Sequence, residues 1–253
     1  ALGRGSKEER NLDKILNFLS EWEWTIDETE QVVTPRTLTP AILGHVFEES
    51  MNQTGIGAYH TPEELTRHIV VETIEPSLCD KMADAVNKQY NDVAAIIDDG
   101  DNLIEFYKDI LCEFAVVDPS VGMGGFLIAA QQTLLDIHTR TIHAIEQADE
   151  INVNDGGIQC DLLVAALEMN DHEREQYLKR EIIRQNLYGV DIDAQALRTC
   201  KLRLWLSMLP NNSDNEKIVN SLPSLYSSIR KGNALIGQHP PLRSSSDVAN
   251  NGG

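Results

Sequence analysis

Long apolar runs are missing from this 253-residue chain. No stretch approaches the roughly 20 residues that a helix needs to cross a bilayer, and the opening Ala1-Leu-Gly-Arg-Gly-Ser-Lys-Glu-Glu-Arg10 has no signal-peptide core. The expectation is a soluble, cytoplasmic protein with no membrane partner. Cysteine is scarce. Cys79, Cys112, Cys160 and Cys200 stand far apart with no Cys-x-x-Cys pair, so neither a zinc site nor a disulfide framework is indicated. They read as buried or partly buried thiols. Positive charge is short as well: 21 Lys and Arg against 40 Asp and Glu leave a formal net charge of -19. So acidic a surface repels phosphate backbones, and any nucleic acid must be held by basic surface elsewhere. No metal site is expected, because His45, His60 and His68 fall on different predicted elements with no carboxylate at ligand spacing.

What is present centres on Phe114-Ala-Val-Val-Asp-Pro-Ser-Val-Gly-Met-Gly-Gly-Phe126. The apolar run Phe114 to Val117 predicts a buried strand, ended by Asp118-Pro119 because proline cannot donate to a ladder. Gly122, Gly124 and Gly125 then let the backbone turn sharply and come close to a ligand, and Phe126 opens an apolar helix expected to reach about Thr139. Such a helix start offers unpaired amides to an anionic group, while Asp118 can accept from a cationic or hydroxylated one. A dinucleotide loop would carry a third glycine where Leu127 stands, and its pyrophosphate would meet the Asp118 charge. A ligand with an ammonium group and a lone carboxylate suits the loop better, and S-adenosylmethionine is such a ligand.

The flanking sequence organises around this loop. Leu12, Ile15, Leu16 and Leu19 define an amphipathic helix over 8–20, Trp22 and Trp24 are expected anchors, and Thr39-Pro40 starts a second helix. Thr61, Pro62 and Glu64 read as a capping box for a third helix that should stop near Ile74, ahead of Pro76. Residues 77–110 read as further helix broken at 98–102, and about 140–180 as a helical insertion. Leu187 to Asp193 reads as a short strand ending in acids, Ala194 to Leu209 as a helix, and Ile229 to Gly237 as a third strand with its loop. The predicted class is α/β: a helical lead-in at 1–54, a parallel-sheet core at 55–243 and a polar tail at 244–253. Asp191, at the tip of the second strand, is placed to take both ribose hydroxyls of a nucleoside. It lies 67 residues beyond Gly124, where about 20 is usual, and the insertion accounts for the excess.

Four segments, in order, resemble a known family: Ala58-Tyr-His-Thr-Pro62, Asp118-Pro-Ser-Val-Gly-Met-Gly-Gly-Phe-Leu127, Asn186-Leu-Tyr-Gly-Val-Asp-Ile-Asp193 and Lys231-Gly-Asn-Ala-Leu-Ile-Gly237. The family is the adenine-specific DNA methyltransferases of the large single-chain restriction-modification and phage-defence type, and the resemblance spans roughly residues 20 to 237. It implies a partial Rossmann-like, S-adenosylmethionine-dependent methyltransferase core. In that core Tyr59, Thr61 and Pro62 would close over the methionine end of the cofactor. Asp118, Pro119, Gly122, Gly124 and Phe126 would form the cofactor loop, Asp191 would take the ribose, Ile192 would lie beside the adenine ring and Asn233 would face the adenine amine. The resemblance also implies double-stranded DNA held by regions outside this chain, and restriction or defence-complex subunits as partners. Two departures are local: His60 stands where tyrosine is frequent, and Ser120-Val-Gly-Met123 where Ala-Cys-Gly-Ser is common. One is larger. The family's Asn-Pro-Pro-Tyr segment, which holds the target amine, is absent, since His239-Pro-Pro-Leu242 lacks both the amide and the ring. No catalytic residue is therefore assigned, and the chain is expected to hold the methyl donor without methylating alone. Two alternatives stay open: a nicotinamide or flavin oxidoreductase, and a non-catalytic scaffold of a defence complex.

Overall fold

A computed structural model describes residues 14, 17, 20–25, 36–40, 42, 44, 61–148, 160–209, 224–225 and 227–236. Most of the expected opening helix, and Tyr59 with it, lie outside the described residues. In the lead-in, β1 (Glu23–Trp24) pairs in parallel with β2 (Thr37–Leu38), a pairing that the polar sequence did not suggest. The Thr39 hydroxyl accepts from the Ile42 amide at 3.3 Å, the N-cap expected for the second helix.

Val70, Ile74, Leu78 and Met82 recur every fourth residue along α1 (Glu63–Val86), and all four are buried. That stripe carries the helix through Pro76, where the sequence predicts a stop. An interior proline costs about 3 kcal/mol, but burying each large side chain returns roughly 1.5–3 kcal/mol. Pro76 and Glu72 also face solvent, so water can satisfy the Glu72 carbonyl that proline leaves unpaired. The capping box expected at Thr61 does not form. Pro62 is the cap residue, without a side-chain hydrogen bond, and the Thr66 hydroxyl donates to the Thr61 carbonyl at 3.3 Å.

The next segments follow the expected break. Asp92 caps α2 (Val93–Asp99) by accepting from the Ala95 amide at 2.7 Å, Gly100 ends it at φ +74°, and α3 (Leu103–Glu105) winds into a π-helical turn, Phe106–Leu111. After β3 (Val116–Asp118) comes α4 (Gly125–Gln147), which runs eight residues past its expected end because Ile142 and Ile145 keep its buried face apolar. α5 (Asp161–Leu167) and α6 (Asp171–Gln185) follow, the latter opened by a reciprocal capping box between Asn170 and Glu173. Then come β4 (Leu187–Asp191), α7 (Ala194–Ser207) and β5 (Ile229–Lys231).

β3, β4 and β5 form a parallel sheet in that order, with Asp118 opposite Gly189 and Asp191 opposite Lys231. Three helices, α4, α5 and α6, fill the connection from β3 to β4, which is where the long spacing to Asp191 goes. β3 begins two residues later than predicted. The Phe114 amide donates to the Leu111 carbonyl at 3.3 Å, and Asn186 Nδ2 donates to the Phe114 carbonyl at 2.6 Å, so a turn takes the first part of the run. One sheet face, with Leu187, Gly189 and Ile229, is buried under the helices. The other is open: Val117 is 62% and Tyr188 38% exposed, and Arg230 faces solvent. This is a partial Rossmann-like methyltransferase fold, α/β as the sequence predicts. No helix among the described residues is long and apolar enough to cross a membrane.

Candidate functional site

The carboxyl ends of the three parallel strands bring Asp118, Asp191 and the segment from Lys231 to Asn233 side by side, which is where open α/β sheets bind ligands. Between β3 and α4 the chain makes its glycine loop. Gly122 has φ +51° and Gly124 φ +85°, left-handed values that glycine adopts at least cost. At Gly124 space matters too, because an added Cβ would lie 2.8 Å from the Cys200 sulfur.

Four contacts fix the loop. Asp118 Oδ1 accepts from the Ser120 amide at 2.9 Å. The Val121 amide donates to the Val190 carbonyl at 2.9 Å, and Gly189 leaves room there, since a Cβ on it would meet Val121 at 2.9 Å. Asp191 bridges two segments: Oδ2 accepts from the Gly122 amide and Oδ1 from the Asp193 amide, each at 2.8 Å. Arg203, reaching from α7, donates to the Met123 carbonyl at 3.1 Å. Asp193 in turn caps α7 through the Gln195 amide, so one short acidic segment ends β4, holds the loop and starts the next helix.

Asp118 is the electrostatic centre. Burial raises its carboxyl pKa, the Asp191 charge adds to that, and the Ser120 amide opposes it. Its Oδ2 is buried and accepts from no donor among the described residues. A buried carboxylate oxygen left without a donor costs free energy that a donor, above all a cationic one, would recover. Beside it, Asp118, Pro119 and Phe126 line a recess of about 270 Å³ that Val117 and, from α1, Ile69 and Thr73 close.

The other predicted residues spread around this centre. Ile192 follows Asp191 and is 63% exposed, leaving its side chain free to meet a ring. Asn233 lies on the loop after β5, exposed, with Oδ1 accepting from the Leu235 amide at 2.9 Å. Thr61 and Pro62 precede α1, about two helical turns, roughly 10 Å, before Ile69 at the recess. The sequence reading missed Cys200 and Arg203, although Cys200 lies on the apolar stripe of α7, and it missed Ile69 as a recess wall. Among the described residues no group of His, Cys, Asp and Glu could hold a metal ion.

A glycine loop after β3 and an acid at the tip of β4, on a parallel sheet, define an α/β domain of the partial Rossmann-like class. Residues 93–239 match the family described as the MmeI DNA-methyltransferase domain, and the chain belongs to that family. It is also 31% identical, over 91% of its length, to the "Putative type II restriction enzyme and methyltransferase RM.MjaORFECS2P" of Methanocaldococcus jannaschii. The chain spans 19% of that relative's length. No solved structure matches it.

Proposed function

We propose that this chain is the S-adenosylmethionine-binding portion of a DNA methyltransferase that methylates the exocyclic amine of adenine in a restriction-modification or phage-defence system. The observation that carries the reading is the unpartnered, buried Asp118 Oδ2 at the mouth of the glycine loop. An ammonium donor answers that oxygen, whereas a pyrophosphate would be repelled by it, which disfavours the oxidoreductase reading. Asp191 uses one lone pair on each oxygen for backbone amides, so each oxygen retains acceptor capacity for a ribose hydroxyl. Ile192 offers an apolar edge to the adenine ring, Asn233 lies on the loop after β5, and Thr61 and Pro62 lead into α1. When bound, the cofactor supplies a sulfonium methyl group for in-line transfer to a nucleophile. This chain's part is to orient it, through Asp118, Asp191 and the loop backbone.

The target amine is held by polypeptide outside the 19% of the relative that this chain spans. Two features support that reading. Parallel sheets are ordinarily covered on both faces, yet Val117, Tyr188 and Arg230 are exposed here. Among the described residues, moreover, no strand pairs with the outer edge of β3. The same missing portion would provide the basic DNA-binding surface that a chain of net charge -19 lacks.

The test is differential. S-adenosylmethionine should raise the Tm of the chain, a nicotinamide dinucleotide should not, and Asp118→Asn should abolish the shift. A longer chain reaching an Asn-Pro-Pro-Tyr segment should transfer a labelled methyl group to adenine in duplex DNA. Label on cytosine, RNA or protein would overturn the adenine assignment, and a Tm shift with the dinucleotide alone would overturn the cofactor.

A further inference from the structure

Cys112 and Cys160, 48 residues apart in sequence, hold their sulfurs 3.9 Å from each other. Cys112 sits in the turn ahead of β3, where Asn186 Nδ2 donates to the carbonyls of Leu111, Cys112 and Phe114 at 3.4, 3.2 and 2.6 Å. Cys160 immediately precedes α5. Cys160 is buried in the hydrophobic core and Cys112, partly buried, packs against that core. We propose that Cys112 and Cys160 are a redox modification site that closes to a disulfide on exposure to a small-molecule disulfide.

The geometry suits the bond. Sulfurs in contact need to approach to about 2.05 Å, roughly 1 Å of travel each, which side-chain rotation supplies. Either sulfur can be the donor in this contact, and it shifts the two thiols in opposite directions, lowering the Cys160 pKa and raising that of Cys112. The other two cysteines are unsuited. Burial pushes the Cys200 thiol up to about 12, and Cys79, also raised by burial, lies on α1 with acidic neighbours.

The step balances as two exchanges. The Cys160 thiolate attacks one sulfur of glutathione disulfide, forming a mixed disulfide and expelling a glutathione thiolate. Cys112 then loses its proton to solvent and attacks the Cys160 sulfur, expelling the second glutathione. Two protein thiols are oxidised, and one glutathione disulfide is reduced to two thiols. The loop so closed contains β3, the glycine loop and α4, so the bond ties together both ends of the segment that carries the Asp118 site.

Native protein is incubated with glutathione disulfide, alkylated, digested without reduction and mapped by mass spectrometry. The expected result is one cross-linked peptide pair, Cys112 with Cys160, with free thiols falling from four to two and Cys79 and Cys200 still alkylated. Tm should rise by roughly 5–15 °C and return on reduction. Cys112→Ser should trap glutathione on Cys160, whereas Cys160→Ser should leave Cys112 unmodified. Four alkylated cysteines after oxidation, a different cross-link, or glutathione on Cys112 in the Cys160→Ser variant would each overturn the proposal.

Discussion

Gly124→Ala probes the loop most sharply, because two separate costs meet at one Cβ. The residue has φ +85°, and holding an L-residue in the left-handed region costs about 1–2 kcal/mol. The new methyl would also lie 2.8 Å from the Cys200 sulfur and 3.5 Å from the Cys200 Cα, an overpacking worth roughly 1–3 kcal/mol. The single variant should therefore lose about 2–5 kcal/mol of stability. Cys200→Ala removes the sulfur and hence the second cost, while leaving the first in place. Urea unfolding of wild type, both single variants and the double variant forms a closed cycle. It should give a favourable coupling of about 1–3 kcal/mol. S-adenosylmethionine affinity should drop at least tenfold in Gly124→Ala and recover in part in the double variant. A coupling indistinguishable from zero would refute the packing of α7 against the loop. A Gly124→Ala protein of wild-type stability and affinity would refute the loop geometry altogether.

Further predictions concern the scaffold. His138 on α4 is 1% exposed, neither ring nitrogen has a partner among the described residues, and burial lowers its pKa from 6.5 to about 3. The unfolded chain takes up a proton that the folded state refuses, so stability is full above about pH 6.5 and declines as the pH falls toward 3, with about 2.5 kcal/mol lost between pH 7 and pH 4.5. In His138→Leu that loss should disappear from the difference between melts at the two pH values. Asn186→Ala strips three carbonyls of the turn before β3 of their donor and should cost about 2–4 kcal/mol in urea unfolding. Arg174 is 8% exposed, clasps Glu146 at 2.6 and 3.3 Å, and donates to the Ala166 and Met169 carbonyls. Arg174→Met should cost roughly 3–5 kcal/mol in the same assay, because it leaves those acceptors half-buried and unanswered.

Local chemistry was legible in the sequence. The glycine loop, the acid at the end of β4 and the helix that follows it depend on residues within a few positions of one another. Contacts between distant segments were not. Arg203 meets Met123 across 80 residues and Cys112 meets Cys160 across 48, and no pattern within a turn or strand encodes either distance. Pro76 misled for the opposite reason. Its local rule is sound, but the buried stripe from Val70 to Met82 outweighs it, so tertiary packing decides where α1 ends. The shortened β3 is similar, since Asn186 claims the Phe114 carbonyl for a turn before the strand can use it.

Binding of S-adenosylmethionine between Asp118 and Asp191 is the property to measure first. Calorimetric titration of the chain with S-adenosylmethionine, repeated with Asp191→Ala, addresses it directly. Saturable one-to-one binding is expected, and Asp191→Ala should weaken it by more than about 1.4 kcal/mol, a tenfold change. Saturable binding that Asp191→Ala leaves unaltered would contradict it, because the site would then lie elsewhere.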